Sequence, residues 1–266
     1  MTVAIIGAGV MGESLLSGLI RGGHDITDLI VGEKRPERAV ELREKYGVEV
    51  LANVEAAARA DTVALVVKPQ DMAAVLDEIA GELRAGQLLV SLAAGITTAF
   101  IESRVPAGVA VVRVMPNTPA LVDEGMAAIS PGSHCDDAHL AEAESLMAST
   151  GRVLRIPERQ QDAVTAISGS GPAYIFFVVE SMIEAGVHLG LPRATATELV
   201  VQTLVGSAKM LRETGTHPAV LREQVTSPAG TTAAALRELE IHKVRAAFLA
   251  AMEAARDRSR ELAEGS

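Results

Sequence analysis

Three glycines near the beginning of the chain have the spacing of a phosphate-binding turn. Gly7, Gly9 and Gly12 directly follow an apolar run rich in β-branched residues, Val3 to Ile6, and precede apolar residues at helical spacing. In such a turn the first glycine permits a sharp bend, the second lets the backbone approach a pyrophosphate, and the third lets the helix pack on the strand. Free N–H groups at the start of that helix favour phosphate. Residues 3–18 therefore predict a dinucleotide site, with a tight turn that binds nothing as the alternative.

A second polar stretch, residues 225–232, lies between two helical segments late in the chain. Thr226 and Ser227 supply hydroxyl groups, and Gly230 precedes a helix that begins at Thr231 or Thr232. A helix start after a glycine turn presents free N–H groups that can bind a carboxylate. A plain helix cap made by Ser227 or Thr231 is the alternative, and it is favoured when this stretch is considered alone.

The residues after the second predicted strand bear on which dinucleotide is bound. Glu33 lies about twenty residues beyond the last glycine, where an acid would accept hydrogen bonds from an adenosine ribose. Lys34 and Arg35 follow, and such cations could instead hold a 2′-phosphate. NAD and NADP therefore both stay open. Solvated residues at the start of a helix from Pro36 to Tyr46 explain these charges equally well.

Apolar strand-like runs alternate with helical segments up to Pro157. The predicted strands are 3–6, 28–31, 48–51, 62–67, 88–92, 109–114, 126–129 and 153–156. Three of them end in turns of small, proline or polar residues, which are Lys68-Pro69, Ala93-Ala94-Gly95 and Asn117 between two prolines. Turns that follow parallel strands lie at the edge of the sheet that faces the ligand crevice, so we expect these residues beside the nicotinamide half of a cofactor.

Past Pro157 the pattern changes to helices, predicted over 160–189, 194–214, 218–226 and 231–262. The first two are apolar around most of their circumference, which a domain of about a hundred residues could not bury alone. We therefore expect them to pack against another copy of the chain, with an ordinary internal core as the alternative. The predicted fold class is α/β, an N-terminal Rossmann-type doubly wound sheet (residues 1–158) followed by an all-α dimerisation domain (residues 159–266).

Composition disfavours several classes of partner. Of the 266 residues, 48% are apolar and the formal net charge is −10, which argues against nucleic acid and anionic membranes as partners. Aromatic residues make up 2% of the chain, so base-stacking platforms are not expected. Charged residues such as Glu180 and Glu184 interrupt the longest apolar runs before a bilayer could be spanned, and no secretory signal is predicted.

The few cysteine and histidine residues do not predict a metal site. Cys135 is the single cysteine and cannot form an internal disulfide, which fits a cytoplasmic protein. His134, Cys135 and His139 lie in a predicted surface turn without a fourth ligand, so no metal is expected there. No catalytic role is predicted for the histidines near helix ends, which are His188, His217 and His242.

Considered together, these motifs resemble the pyrroline-5-carboxylate reductase family over nearly the full chain. The resemblance rests on stretches that occur in the family's order: GAGVMG (7–12), VKP (67–69), AAG (93–95), PNTP (116–119), SGSGPAY (168–174), GLPR (190–193) and HPAVLREQVTSPAGTT (217–232). The last of these is the family's signature region. Motifs spread over both halves are far more specific than a dinucleotide fingerprint alone.

The resemblance implies where the substrate is bound. It implies that Thr232 is the catalytic residue and hydrogen-bonds the imine nitrogen of the substrate. Ser227, Gly230 and Thr231 would hold the substrate carboxylate, with Val225 beside them.

The resemblance also implies which cofactor is used. Asn53 matches a family position near the adenosine phosphate and favours NADP(H), whereas Glu33 keeps NAD(H) as the alternative. The expected cofactor-binding residues are Gly7, Ala8, Gly9, Val10, Met11, Gly12, Glu33, Lys34, Arg35, Asn53, Val67, Lys68, Pro69, Ala93, Ala94, Gly95 and Asn117.

The activity that the resemblance implies is hydride transfer from NAD(P)H to the C=N bond of 1-pyrroline-5-carboxylate, which gives L-proline in the last step of proline biosynthesis. Because a protonated imine readily accepts hydride, the protein must position the reactants rather than supply a nucleophile or a metal. The family also implies a homodimer with intertwined helical domains, often assembled into decamers. A hydroxy-acid dehydrogenase with Lys209 or Lys243 as base, and a non-catalytic cofactor-binding regulatory protein, are the alternatives.

Overall fold

The structure, a computed structural model, describes residues 1–264. It divides into two compact units, one of Met1–Ser170 together with the C-terminal segment from Ala254, the other of Gly171–Glu253. Residues 159–170, beyond the predicted domain boundary, belong to the first unit, and hydrogen bonds join this segment to its sheet. The buried side chain of Gln161, for example, donates to the carbonyl of Ala128 and to the hydroxyl of Ser130.

An eight-stranded sheet forms the centre of the first unit. Its strands are β1 (Val3–Ile6), β2 (Leu29–Gly32), β3 (Glu49–Leu51), β4 (Thr62–Leu65), β5 (Leu88–Ser91), β6 (Ala110–Met115), β7 (Gly125–Pro131) and β8 (Gly151–Arg155). Their order is β3-β2-β1-β4-β5-β6-β7-β8, and each neighbouring pair is parallel except β6 and β7. The first six strands have the order of a dinucleotide-binding sheet, so the predicted Rossmann-type doubly wound fold is confirmed.

The side chains of each strand alternate between the two faces of this sheet. In β1, Val3 and Ile5 belong to one apolar core, whereas Ala4 and Ile6 belong to the core on the other face. All four are at most 1% exposed. This double burial explains why the strands are continuously apolar in sequence, since helices cover both faces of a parallel sheet.

Seven α-helices accompany the strands of the first unit, among the residues that the structure describes. They are α1 (Val10–Arg21), α2 (Pro36–Tyr46), α3 (Asn53–Arg59), α4 (Met72–Ile79), α5 (Thr98–Glu102), α6 (Asp137–Ala148) and α7 (Gln161–Val164). Two short helices, α4 and α5, were not among the sequence-based predictions. Burial of Met72, Leu76 and Ile79 in the core under β4 and β5 holds α4 in place.

The second unit is helical, as predicted. Its helices are α8 (Gly171–His188), α9 (Arg193–Thr214), α10 (Pro218–Gln224), α11 (Thr231–Ile241) and the first part of α12 (Val244–Glu264). The prediction that residues 160–189 and residues 231–262 each form one continuous helix is wrong. A π-helical turn at Thr165–Gly169 interrupts the first, and Lys243, with a φ of 57°, separates α11 from α12. A residue in the left-handed region ends a helix because its backbone leaves the helical path.

The second unit buries little of its own apolar surface. Of its residues 171–253, all of them described, only Ala196 is buried. Phe176 and Phe177 of α8 are 66% and 69% exposed, and Leu189 is 81% exposed. By length and composition alone, Glu158–His188 is apolar enough to cross a membrane, although Glu180 and Glu184 lie within it.

Candidate active site

The glycine turn after β1 has the geometry that its sequence predicts. Gly7 has a φ of 97°, and a Cβ added to it would lie 2.6 Å from the carbonyl oxygen of Val66. A Cβ on Gly12 would overlap the carbonyl of Gly7, whereas one on Gly9 would meet nothing within 4 Å among the described residues. The first and third glycines are therefore required by packing, and the second leaves open space beside the start of α1. A pyrophosphate fits this open position.

A polar network joins this turn to α2. Arg38 of α2 donates from Nε to the carbonyl of Ala8 (3.1 Å) and from Nη2 to the carboxylate of Glu13 in the first turn of α1. Glu13 also accepts from Lys45 Nζ and from the Tyr46 hydroxyl, each at 2.8 Å. The hydrogen bond from Lys45, followed by those from Arg38 and Tyr46, outweighs partial burial and lowers the pKa of Glu13 to about 2.

Beyond β2 and β3, charged and polar side chains line an open groove that we call the adenosine corner; it contains Glu33, Lys34, Asn53 and Glu78. The Glu33 carboxylate accepts from the backbone N–H and the guanidinium of Arg35 at 2.9–3.0 Å. Partial burial acts to raise the pKa of Glu33, but the hydrogen bonds from Arg35 outweigh it and lower that pKa. The corner therefore holds an ionised acid at the position that contacts an adenosine ribose in dinucleotide folds.

Asn53, Lys34 and Glu78 of the adenosine corner contact one another. Asn53 is 4% exposed, and its Nδ2 donates to Oε2 of Glu78 at 3.2 Å. Lys34 Nζ lies 2.7 Å from the same oxygen. A Cβ on Gly32 would lie 2.8 Å from Oδ1 of Asn53, so glycine at the end of β2 makes room for this buried amide.

The turns after β4, β5 and β6 lie at the same edge of the sheet, since these strands are parallel to β1. Val67, Lys68 and Pro69 follow β4, and Lys68 and Pro69 are exposed. Ala93, Ala94 and Gly95 follow β5; of these only Ala94 is exposed. Gly95, with a φ of 77°, packs against the end of α12, where a Cβ would lie 3.7–3.8 Å from Leu262 and Ala263.

Asn117 ties the turn after β6 to the segment before α8. Its Oδ1 accepts from the N–H of Met126 (2.8 Å), and its Nδ2 donates to the carbonyl (3.2 Å) and hydroxyl (3.3 Å) oxygens of Ser168. Two of the sequence motifs, PNTP and SGSGPAY, thus meet in this structure. Both ends of the Asn117 amide are engaged within the first unit, and its part in cofactor binding stays a prediction.

The signature stretch forms a compact turn between α10 and α11. Ala229 has a φ of 57°, and the N–H of Gly230 donates to the carbonyl of Ser227 at 3.0 Å. Gly230 precedes α11 without any side-chain cap, so the cap by Ser227 or Thr231 that the sequence allowed is not formed. The first N–H groups of a helix have no partner within it, so this turn offers donors to an anion. Val225 and Ser227 are exposed, and Thr232 is half-buried.

Two of the histidines and the cysteine hydrogen-bond to backbone groups. His139 completes a capping box with Asp136, and Nδ1 of His217 accepts from the N–H of Ala219 at the start of α10. Cys135 donates to the carbonyl of Val111, and burial raises the pKa of its thiol. Within residues 1–264 no group of three or more histidine, cysteine or acidic residues is arranged to hold a metal.

Sequence reasoning did not identify Arg38 or Glu78 as site residues, and it did not predict that Ser168 contacts Asn117. Each lies 25 to 51 residues from the predicted site residue that it contacts. The signal for Arg38 was weak, because a charged residue near the start of a helix is usually solvated and the sequence does not show its partners.

Comparison with known proteins agrees with this geometry. A family model described as pyrroline-5-carboxylate reductase dimerisation matches residues 158–262, and one described as NADP oxidoreductase, coenzyme F420-dependent, matches residues 2–95. The chain is 49% identical over 265 residues to a pyrroline-5-carboxylate reductase of Corynebacterium melassecola, and the match covers 98% of each chain.

Solved structures give the same result. A pyrroline-5-carboxylate reductase from Coxiella burnetii superposes with a TM-score of 0.93 at 38% identity, covering 98% of both chains. The pyrroline carboxylate reductase of Plasmodium falciparum, solved with NADP bound, has a TM-score of 0.89 at 30% identity, covering 99% of this chain and 98% of the other. The chain therefore belongs to the pyrroline-5-carboxylate reductase family.

Proposed function

We propose that this chain reduces the C=N bond of 1-pyrroline-5-carboxylate to give L-proline, with NADPH as the hydride donor. The observation that carries the proposal is the likeness to a reductase of this name over 98% of both chains. The match of residues 2–95 to an NADP oxidoreductase model favours NADP(H), with NAD(H) as the minor alternative.

The residues of the first unit fit a nicotinamide dinucleotide. Open space at Gly9 accommodates a pyrophosphate beside the backbone of residues 7–12. Glu33, Lys34, Arg35 and Asn53 would hold the adenosine end. Residues 67–69, residues 93–95 and Asn117 would hold the nicotinamide half, which supplies hydride when the cofactor is bound.

The turn at residues 225–232 would hold the substrate. Its carboxylate would bind at Ser227, Gly230 and Thr231, through the Ser227 hydroxyl and the first N–H groups of α11, because the N–H of Gly230 is already held by the Ser227 carbonyl. The absence of a side-chain cap on α11 supports this assignment. The hydroxyl of Thr232 would hydrogen-bond the imine nitrogen. As hydride adds to the imine carbon, which becomes carbon 5 of proline, the electron pair of the C=N bond moves to the protonated nitrogen, which becomes the secondary amine of proline.

In this assignment the protein orients the substrate and does not supply a strong acid or a nucleophile. Fixing the carboxylate and the nitrogen holds a five-membered ring at two points, which sets the face of the imine carbon that meets hydride. The lysines that a hydroxy-acid dehydrogenase would need do not support that alternative. Lys209 is exposed on α9 and pairs with Glu213 at 3.6 Å, and Lys243 adopts the strained left-handed backbone between α11 and α12.

We further propose that the second unit forms an intertwined homodimer, which assembles into a decamer. A dimerisation model matches residues 158–262, and the unit buries only Ala196 among its own residues. A partner would cover the exposed aromatic rings of α8, including Phe176 and Phe177. The same coverage explains how a stretch apolar enough to span a membrane occurs in a cytoplasmic enzyme.

The test is turnover by the purified protein with NADPH and 1-pyrroline-5-carboxylate, followed by NADPH absorbance and by chromatographic detection of proline. We expect one proline formed for each NADPH oxidised. A panel of 2-hydroxy and 2-oxo acids, assayed with both cofactors in both directions, serves as the control. Turnover of a hydroxy acid alone would support the dehydrogenase, and cofactor binding without any turnover would support the regulatory protein.

A further inference from the structure

One carboxylate oxygen in the adenosine corner binds two groups at once. Oε2 of Glu78, in α4, lies 2.7 Å from Lys34 Nζ and accepts from Asn53 Nδ2 at 3.2 Å. The Glu78 side chain is 27% exposed and the Lys34 side chain 63% exposed, so both lie at the open side of the groove. Lys34 and Asn53 are the groups we expect nearest a 2′-phosphate, and both are already engaged by an anion of the protein.

The two arginines nearest the corner are held by other groups of the protein. Arg35 is paired with Glu33 through its Nε and Nη2, and Arg43, which also lines the groove, donates to the carbonyl of Val50 at 2.6 Å. A 2′-phosphate that binds Lys34 has to take it from Glu78 and then lies close to the carboxylate it displaced. A ribose 2′-hydroxyl carries no charge and meets no such competition.

The two donors held by Glu78 differ in their freedom to move. Asn53 is 4% exposed, and its Oδ1 occupies the space where Gly32 lacks a side chain, so the amide stays in place. Lys34 has a flexible, exposed stem and can turn from Glu78 toward a ligand. Competition between Glu78 and the ligand is therefore for Lys34.

We propose that Glu78 is a specificity-determining residue that lowers the preference for NADP(H) over NAD(H) by competing with the 2′-phosphate for Lys34. The inference rests on the proposed function only in requiring that this groove hold the adenosine end of a dinucleotide. Neutralising Glu78 frees Lys34 and removes one like charge from the phosphate site, so it strengthens binding of the phosphorylated cofactor selectively.

The experiment measures how tightly the adenosine end of the cofactor binds by itself. Isothermal titration calorimetry of the full chain with 2′,5′-ADP and with 5′-AMP gives affinities with and without the 2′-phosphate. For Glu78→Gln we expect 2′,5′-ADP to bind about three- to tenfold more tightly, the size of a released surface ion pair plus one removed like charge. Binding of 5′-AMP should change by less than about twofold.

Two further variants connect the effect with Lys34. Asp77→Asn removes an equal charge from the exposed side of α4 and should leave both affinities unchanged. Lys34→Gln should weaken 2′,5′-ADP about tenfold, the loss of a charge-assisted contact with phosphate, and should abolish the effect of Glu78→Gln in the double variant. Circular dichroism confirms that each variant is folded.

The results that would overturn this inference differ from the result that would overturn the dinucleotide site. If Glu78→Gln leaves 2′,5′-ADP binding unchanged or weakens it, or if Asp77→Asn has the same effect, the inference is wrong while the reductase assignment stands. An undiminished effect in the double variant with Lys34→Gln also overturns it. If the unaltered protein binds neither nucleotide, the dinucleotide site itself is wrong and the inference falls with it.

Discussion

Replacing Arg38 with methionine tests whether α2 holds the glycine turn in shape. The change keeps most of the aliphatic stem but removes the donors to the Ala8 carbonyl and to the Glu13 carboxylate. The Arg38 and Glu13 side chains are only 16% and 20% exposed, so water replaces the lost bonds incompletely. We expect both the local stability of the turn and its affinity for NADPH to fall.

The magnitude follows from the pKa of Glu13. A fall from its ordinary value of 4.5 to about 2 corresponds to roughly 3 kcal/mol of stabilisation at neutral pH, shared among Lys45, Arg38 and Tyr46. Solvent screens part of this, because Lys45 is 57% exposed. The share of Arg38 together with its bond to Ala8 gives an expected cost of about 1–2 kcal/mol.

The loss of stability caused by Arg38→Met should become smaller as the pH falls. Because the pKa of Glu13 is lower in the folded protein, its stabilising contribution is complete above about pH 4.5 and is lost as the pH falls toward about 2. The difference in unfolding free energy between the unaltered protein and Arg38→Met should therefore be constant from pH 7 to pH 5. By pH 3 more than half of the carboxylate's contribution should be gone.

Hydrogen exchange measured by mass spectrometry reports the loss of stability at the glycine turn itself. Peptides covering residues 3–21 and α2 should exchange about 5- to 30-fold faster in the variant at neutral pH, the factor that 1–2 kcal/mol represents. The KM for NADPH should rise about three- to tenfold, with the KM for the imine changed by less than about twofold.

The matched control is Arg59→Met. Arg59 pairs with Glu49 on the same unit, but both side chains are 47% exposed, so its loss should cost less than about 0.5 kcal/mol. If Arg38→Met behaves like Arg59→Met in exchange and in KM, the network does not hold the turn.

Substitutions at four further positions test the same structure. Thr232→Val should lower kcat at least about a hundredfold with NADPH binding kept, and Thr232→Ser should restore most of the rate; equal rates in the two variants would remove the hydroxyl from the mechanism. Gly9→Ala should keep the melting temperature and raise the KM for NADPH about tenfold, because its Cβ enters open space that the pyrophosphate needs. Gly12→Ala should instead cost about 2 kcal/mol or more in urea unfolding, because its Cβ overlaps the Gly7 carbonyl; the reverse pattern would contradict the described turn. Phe177→Asp should convert dimer to monomer in sedimentation, and an unchanged sedimentation coefficient would place the interface elsewhere.

The strands of the sheet and the glycine turn could be predicted from sequence because their determinants are local. A strand buried on both faces is apolar at each position, and the turn needs glycines at fixed spacing. The antiparallel pairing of β7 with β6 could not be predicted, because strand direction depends on the path of the chain between them. The short helices α4 and α5 were missed because each is only two turns or less.

In the helical half, the points where helices break could not be predicted from the sequence. The apolar pattern of residues 231–262 continues through Lys243, so periodicity alone predicted one helix where the backbone breaks. Contacts between side chains that are distant in sequence could not be predicted either. The pairing of Lys34 and Asn53 with Glu78, and of Asn117 with Ser168, depends on the fold bringing separate turns together.

Isotope transfer tests the central claim most directly. Purified protein would be given 1-pyrroline-5-carboxylate and NADPH carrying deuterium at carbon 4 of the nicotinamide on the transferred face, and the proline would be analysed by NMR and mass spectrometry. A reductase that transfers hydride directly must give L-proline with one deuterium at carbon 5. Proline without that label, or cofactor oxidised with no proline formed, would contradict the assignment.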